Sequence, residues 1–103
     1  MIRVFIDPQL LIFKMSGHSE FGPVGSDIVC AAATMLASTL VQNMTTRLDE
    51  SQITECELNS GHAVLKVMPV RRKMRNECRV LYAATLEGFE LLAERYPEQV
   101  IID

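Results

Sequence analysis

The chain has 103 residues, 49% of them hydrophobic and 22% charged, a composition that fits one folded domain and excludes a disordered chain. Its formal net charge of −3 provides no overall attraction to nucleic acid or to an anionic membrane surface. No apolar run approaches the roughly 18 residues that span a bilayer, and the opening MIRVFIDPQ lacks the apolar core of a signal peptide. We therefore expect one cytoplasmic domain over residues 1–103, with no membrane segment.

Two short apolar runs open the chain, at residues 2–6 (IRVFI) and 10–16 (LLIFKMS), with Pro8 between them. Proline favours a turn and interrupts strand pairing, so the pattern predicts a β-hairpin. Residues 17–25 (GHSEFGPVG) contain three glycines and a proline, which predicts a loop. A loop of this length in a small domain often carries function, so the segment is a candidate part of a site.

From Asp27 onward the apolar spacing becomes that of a helix. Apolar residues recur every three or four positions as far as Met44, and they cover most of the helix circumference. Either Ser26 or Asp27 supplies the N-cap. The helix is predicted to end near Leu48.

The second half of the chain repeats this order. Residues 52–58 (QITECEL) and 63–69 (AVLKVMP) alternate as strands, and the turn-forming NSG at 59–61 predicts a second hairpin. An apolar stripe over residues 78–96 predicts a second helix, and VII at 100–102 predicts a short last strand. The predicted fold is α+β, in the order ββαββα, with an antiparallel-type sheet and two helices packed on one face.

Three cysteines, Cys30, Cys56 and Cys78, show no paired spacing, and their odd number predicts free thiols. Cys56 alternates with the inward positions of its strand and Cys78 lies on the apolar stripe of its helix, so both are predicted to be buried structural residues. The three cysteines and two histidines do not form the clustered pairs of a zinc site. We expect neither a metal nor another cofactor.

Cys30 has the position that best favours chemistry. If Asp27 is the N-cap, Cys30 lies in the first helical turn, where unpaired N–H groups and the helix dipole favour a thiolate and can stabilise an oxyanion. His18 lies twelve residues earlier, at the end of a predicted strand, and an imidazole there can take the thiol proton. On spacing alone, a packed structural thiol and a surface histidine remain the more common interpretations.

The local sequence favours the catalytic interpretation. GHS at residues 17–19, followed by GSDIVCAA at 25–32, resembles the Gly-His and Gly-x-Asp-Ile/Val-Val-Cys-Ala motifs of the ribosomal-processing cysteine protease family, Prp. The sequence from Gly88 to Val100 is similar to the C-terminal helix and closing segment of that family. The resemblance implies that His18 and Cys30 form a catalytic pair.

Other residues near the pair receive supporting roles. Asp27 either caps the helix or orients the pair, and the cap is the simpler role. Gly17 allows the backbone to bend beside His18, and Gly22 and Gly25 allow the loop over residues 19–25 to move as a lid. Together with Ser19, these glycines are the predicted substrate-loop residues.

Members of this family are homodimeric cytosolic peptidases that remove a short N-terminal extension from a large-subunit ribosomal protein, so the resemblance implies the same activity and assembly. Two alternatives remain open. One is a non-catalytic ribosome-assembly or binding module with this fold, and the other is a protease that acts on another substrate, such as a phage structural protein.

A basic stretch before the last predicted helix is not recognised as a feature of the family. It consists of Arg71, Arg72, Lys73 and Arg75. The stretch is either a solvated loop paired with nearby acids or a docking patch, which would make a weak contact with ribosomal RNA or bind an acidic partner.

Overall fold

The computed structural model describes residues 1–19, 22 and 27–103, and it confirms the predicted α+β class and the order of elements. The strands are β1 (Ile2–Asp7), β2 (Ile12–Ser16), β3 (Ile53–Asn59), β4 (His62–Val67) and β5 (Val100–Ile102). The helices are α1 (Ile28–Arg47) and α2 (Arg72–Arg95), and a single 3-10 turn covers Glu50–Gln52.

The five strands form one sheet in the order β3-β4-β2-β1-β5. The hairpin pairs β1–β2 and β3–β4 are antiparallel, as predicted. The pair β2–β4 is also antiparallel, whereas β5 runs parallel to β1. The sheet is therefore mixed. β5 runs parallel to β1 because α2, which has 24 residues and is about 36 Å long, carries the chain back along the sheet before β5 begins.

Both helices pack on one face of the sheet, and the other face is open. Along β1 the burial alternates, so that Val4 faces the helices while Arg3 and Phe5 face away. In the core, the rings of Phe13 and Phe89 stack with their centroids 5.8 Å apart. This contact holds α2 against β2, and Val29 and Ala33 of α1 are buried in the same core cluster.

By length and composition alone, α1 is long and apolar enough to cross a membrane, with a mean hydropathy of 1.3 over an 18-residue window. The expectation that no segment meets this requirement is wrong, because α1 is uncharged up to Arg47. In this fold one face of the helix packs against the core. The core helix of a globular protein also meets the length and hydropathy requirement for a membrane-spanning helix. Its buried residues are Val29, Ala33, Ala37, Leu40 and Met44.

The prediction that Cys56 is buried is wrong, because its thiol is exposed. Cys56 pairs in register with the buried Leu65, so it lies on the helix side of the sheet. However, β3 is an edge strand, and the position of Cys56 on it stays exposed. Cys78 is fully buried as predicted, and this burial, reinforced by the charge of Glu77, raises the pKa of its thiol.

The basic stretch does not precede the last helix but begins it. Arg71 is the N-cap of α2 and Arg72 is its first residue. Arginine, lysine and methionine have high helix propensity, which explains why the helix extends through this segment. The solvated-loop interpretation is therefore wrong in its geometry, since these side chains project from an ordered helical turn.

Candidate active site

The start of α1 is fixed by Asp27, which is its N-cap. One carboxylate oxygen, Oδ1, accepts hydrogen bonds from the backbone N–H groups of Val29 and Cys30, both at 3.0 Å. The other oxygen, Oδ2, accepts a hydrogen bond from the hydroxyl of Ser19, which is 4% exposed. The cap therefore places Cys30 in the first turn and ties that turn to the chain just after β2.

His18 is exposed and lies two residues beyond the end of β2. Its backbone carbonyl accepts a hydrogen bond from the amino group of Met1, and its ring lies directly over Gly61 in the β3–β4 turn. A Cβ atom added to Gly61 would be 2.6 Å from Nε2 of His18. The N–H of Gly17 donates to the carbonyl of Gly61 at 2.9 Å, which fixes the turn beside the histidine.

A cavity of about 310 Å³ lies between the start of α1, the end of β2 and the β3–β4 turn. Cys30 lines this cavity together with Gly17 and Gly61, the two glycines that flank His18 in space. The cavity that Cys30 lines is therefore bounded by Gly61, the residue over which the His18 ring lies. The remaining lining residues are mostly apolar, and comprise Ile2, Met15, Ala33, Thr34, Leu58, Asn59 and Ser60.

The first-turn N–H groups are not all available to an oxyanion. Those of Val29 and Cys30 are donated to Asp27, and the N–H of Ala31 donates to the Asp27 carbonyl at 3.0 Å. The expectation that the helix start alone forms an oxyanion hole is therefore incomplete. Asn59 and Ser60, whose side chains carry hydrogen-bond donors, also line this cavity.

The predicted substrate loop is only partly described. Ser19 is buried against the helix cap, Gly17 adopts a φ of 92° and Gly22 is exposed. Gly25 lies outside the described residues, as does Ser26, the alternative N-cap. The bond from Ser19 to Asp27 shows that the chain after β2 returns to the helix start, as the sequence interpretation required.

Sequence reasoning missed the contribution of the β3–β4 turn to the site. The NSG motif at 59–61 predicted a hairpin, and Gly61 does adopt a φ of 76°. The motif does not show that the hairpin tip lies against His18, because that contact joins segments 43 residues apart. The available signal was the apolar run at 10–16 and the alternation at 63–69, which predict strands but not their pairing.

The capping role of Asp27 can be tested by measuring stability, without an activity assay. We expect Asp27→Ala to lower the free energy of unfolding by about 1 kcal/mol, since two N–H groups lose their acceptor. Asp27→Asn retains an acceptor and should remain close to the wild type. Chemical denaturation of the three proteins measures the difference. Equal stability of the alanine variant and the wild type would contradict the role of Asp27 as a cap.

Comparison with known proteins agrees with this fold. The family described as cysteine protease Prp matches residues 1–101. The essential ribosomal processing protease Prp from S. aureus, bound to a covalently linked product peptide, superimposes with a TM-score of 0.78 at 20% identity, over 99% of this chain and 95% of that one. The same protease with a substrate peptide gives 0.70 at 22% identity, over 100% and 98% of the two chains.

A further structural neighbour is SMU.848 from Streptococcus mutans, with a TM-score of 0.73 at 27% identity, over 100% of this chain and 92% of that one. A comparison with curated proteins gives no significant match. The protein is a cysteine protease. The match covers nearly the whole sequence, and the chain belongs to the cysteine protease Prp family.

Proposed function

We propose that this cysteine protease removes a short N-terminal extension from the precursor of a large-subunit ribosomal protein, with Cys30 as nucleophile and His18 as general base. The observation that carries the proposal is a cavity that Cys30 lines and that is bounded by Gly61, beside the ring of His18. It is supported by the S. aureus relative, a ribosomal processing protease of the same fold that holds a product peptide covalently.

The residues fit a two-step acyl transfer. His18 takes the proton from Cys30, and the sulfur attacks the scissile carbonyl to form a tetrahedral oxyanion. The C–N bond then breaks as the imidazolium protonates the leaving amine, which leaves a thioester on Cys30. Water, deprotonated by His18, hydrolyses the thioester and restores the thiol.

The lining of the cavity indicates which substrates fit. Ile2, Met15, Ala33 and Leu58 provide apolar walls around Cys30, which favour an apolar side chain next to the cleaved bond. Asn59 and Ser60 are placed to donate hydrogen bonds to the oxyanion or to the peptide backbone. Thr34, one helical turn after Cys30, adds a hydroxyl to the same wall.

We further propose that the enzyme acts in the cytoplasm as a homodimer. The two helices expose Met35 and Leu91, at 66% and 68% of their surfaces. These residues border an apolar groove between α1 and α2, with Ala32, Leu36 and Gly88 in its lining. A second copy would cover such a surface. Light scattering tests the assembly, with twice the 11.6 kDa of one chain as the expected mass.

Incubation with a ribosomal protein precursor tests the proposed activity. We expect the purified enzyme to shorten a precursor that carries an N-terminal extension, with one new N-terminus detected by mass spectrometry. The mature ribosomal protein without its extension is the matched control and should remain intact. If the precursor is untouched while a phage structural protein is cleaved, the substrate assignment is wrong. If neither is cleaved, the non-catalytic alternative gains support.

A further inference from the structure

Cationic side chains are concentrated at the end of the molecule where α1 ends and α2 begins. This surface, called the basic end, holds six of the ten lysines and arginines but only three of the thirteen carboxylates. Arg47 and Arg71 line one cavity there, and Arg72 and Lys73 line an adjacent one. The six cations are Arg47, Arg71, Arg72, Lys73, Arg75 and Arg79, and the three carboxylates are Asp49, Glu50 and Glu77.

The fold does not neutralise these charges. Over residues 1–19, 22 and 27–103, no cation of the basic end has a carboxylate oxygen within 4.0 Å. Their hydrogen bonds go to neutral groups instead. Arg47 donates to the side chain of Asn43, Arg79 to that of Asn76, and Arg75 to the carbonyl of Pro69. The basic end therefore presents uncompensated positive charge to solvent.

Local stability does not account for this arrangement. The first turn of α2 contains no acidic residue, and Arg71 at the N-cap makes no side-chain capping bond. Cations at a helix N-terminus oppose the helix dipole, and neighbouring like charges repel one another. An anionic partner would remove both penalties, so the charge indicates a ligand rather than a structural need.

The chemistry of the basic end favours phosphate. Five of its six cations are arginines, whose planar guanidinium groups bind phosphate through paired hydrogen bonds. The surface also lies about 25 Å from Cys30, since 17 residues of α1 separate Arg47 from the thiol. A partner bound there would leave the cavity open to a peptide.

We propose that the basic end binds the phosphate backbone of RNA, and so holds the protease on an RNA that also carries its protein substrate. This inference rests on the proposed function, because a ribosomal protein is an RNA-binding protein. Such proteins bind RNA through cationic side chains. The basic end therefore repels the free precursor, which is also cationic, and attracts the RNA to which the precursor binds. The acidic remainder of the protease, with ten carboxylates against four cations, attracts the precursor instead.

Fluorescence anisotropy with a labelled 20-nucleotide single-stranded RNA tests the proposal. We expect the wild type to bind at 50 mM salt, with affinity falling about 50-fold by 200 mM if four phosphates are contacted. The variant Arg71→Gln/Arg72→Gln/Lys73→Gln should bind at least about tenfold more weakly. The variant Lys14→Gln/Lys66→Gln/Arg95→Gln has the same net charge but keeps the basic end, and it should bind about as well as the wild type.

Three outcomes would overturn the RNA assignment. The first is no binding by the wild type at 50 mM salt, and the second is an equal loss of RNA affinity in the two triple variants. The third is displacement of the RNA by poly-glutamate at equal charge, which would assign the basic end to an acidic protein. Cleavage of a short precursor peptide should be unchanged in both variants. Cleavage without RNA binding refutes this inference alone, whereas RNA binding without cleavage refutes the proposed function alone.

Discussion

Replacement of Cys30 by alanine should abolish cleavage of the precursor, with a loss of about 10⁴-fold or more in kcat/KM. The thioester forms on this sulfur, and among the described residues that line the cavity Cys30 is the one cysteine. Stability should be retained, because Cys30 is only half-buried and alanine has the higher helix propensity. Steady-state cleavage of a precursor peptide measures the loss.

Cys56→Ala is the matched control for this substitution. Its thiol is exposed on edge strand β3, so the variant should cleave at the wild-type rate. His18→Ala should reduce kcat/KM by about 10²- to 10⁴-fold, which is the usual contribution of a general base. Cleavage that survives Cys30→Ala would exclude the proposed mechanism.

Substitution of Gly61 by alanine should reduce activity by about 100-fold although Gly61 carries no functional group. The added Cβ would lie 2.6 Å from Nε2 and 3.1 Å from Cε1 of His18, so the ring must move. The φ of 76° adds backbone strain, which should lower the free energy of unfolding by about 1–2 kcal/mol. Kinetics and thermal denaturation of the same samples separate the two effects.

Two further variants show which effect limits activity. Gly61→Asn tolerates the left-handed backbone and so restores much of the stability, but it retains the contact with His18 and should remain inactive. Gly88→Ala places its Cβ 2.7 Å from the flexible Cδ2 of Leu36, at an ordinary helical backbone, and should leave activity within about twofold. Full activity in Gly61→Ala would show that the position of His18 does not matter.

Local features of the site could be predicted from the sequence because short-range chemistry determines them. The carboxylate of Asp27 before an apolar helix predicts a cap, and the cap places Cys30 in the first turn. The NSG motif likewise predicts a turn with a left-handed residue at Asn59 or Gly61, and Gly61 is the one that adopts it. These features depend on backbone sterics and hydrogen bonds over a few residues.

Features that depend on distant packing could not be predicted. The alternation of β3 assigns Cys56 to the helix side of the sheet, but only the tertiary structure shows that its thiol is exposed. The contact of His18 with Gly61 depends on the pairing of β2 with β4. The position of Cys30 in the first turn suggests that the backbone N–H groups there can bind an oxyanion. Two of these groups, those of Val29 and Cys30, already donate to the Asp27 side chain.

Selective trapping of the nucleophile tests the central claim most directly. The protein would be treated with one equivalent of a chloromethyl ketone built on the precursor sequence, and the modified cysteine identified by peptide mapping. We predict alkylation at Cys30 before Cys56, although Cys56 is the more exposed thiol, and slower alkylation of Cys30 in His18→Ala. Modification of Cys56 first, with Cys30 left free, would contradict the assignment of Cys30 as the nucleophile.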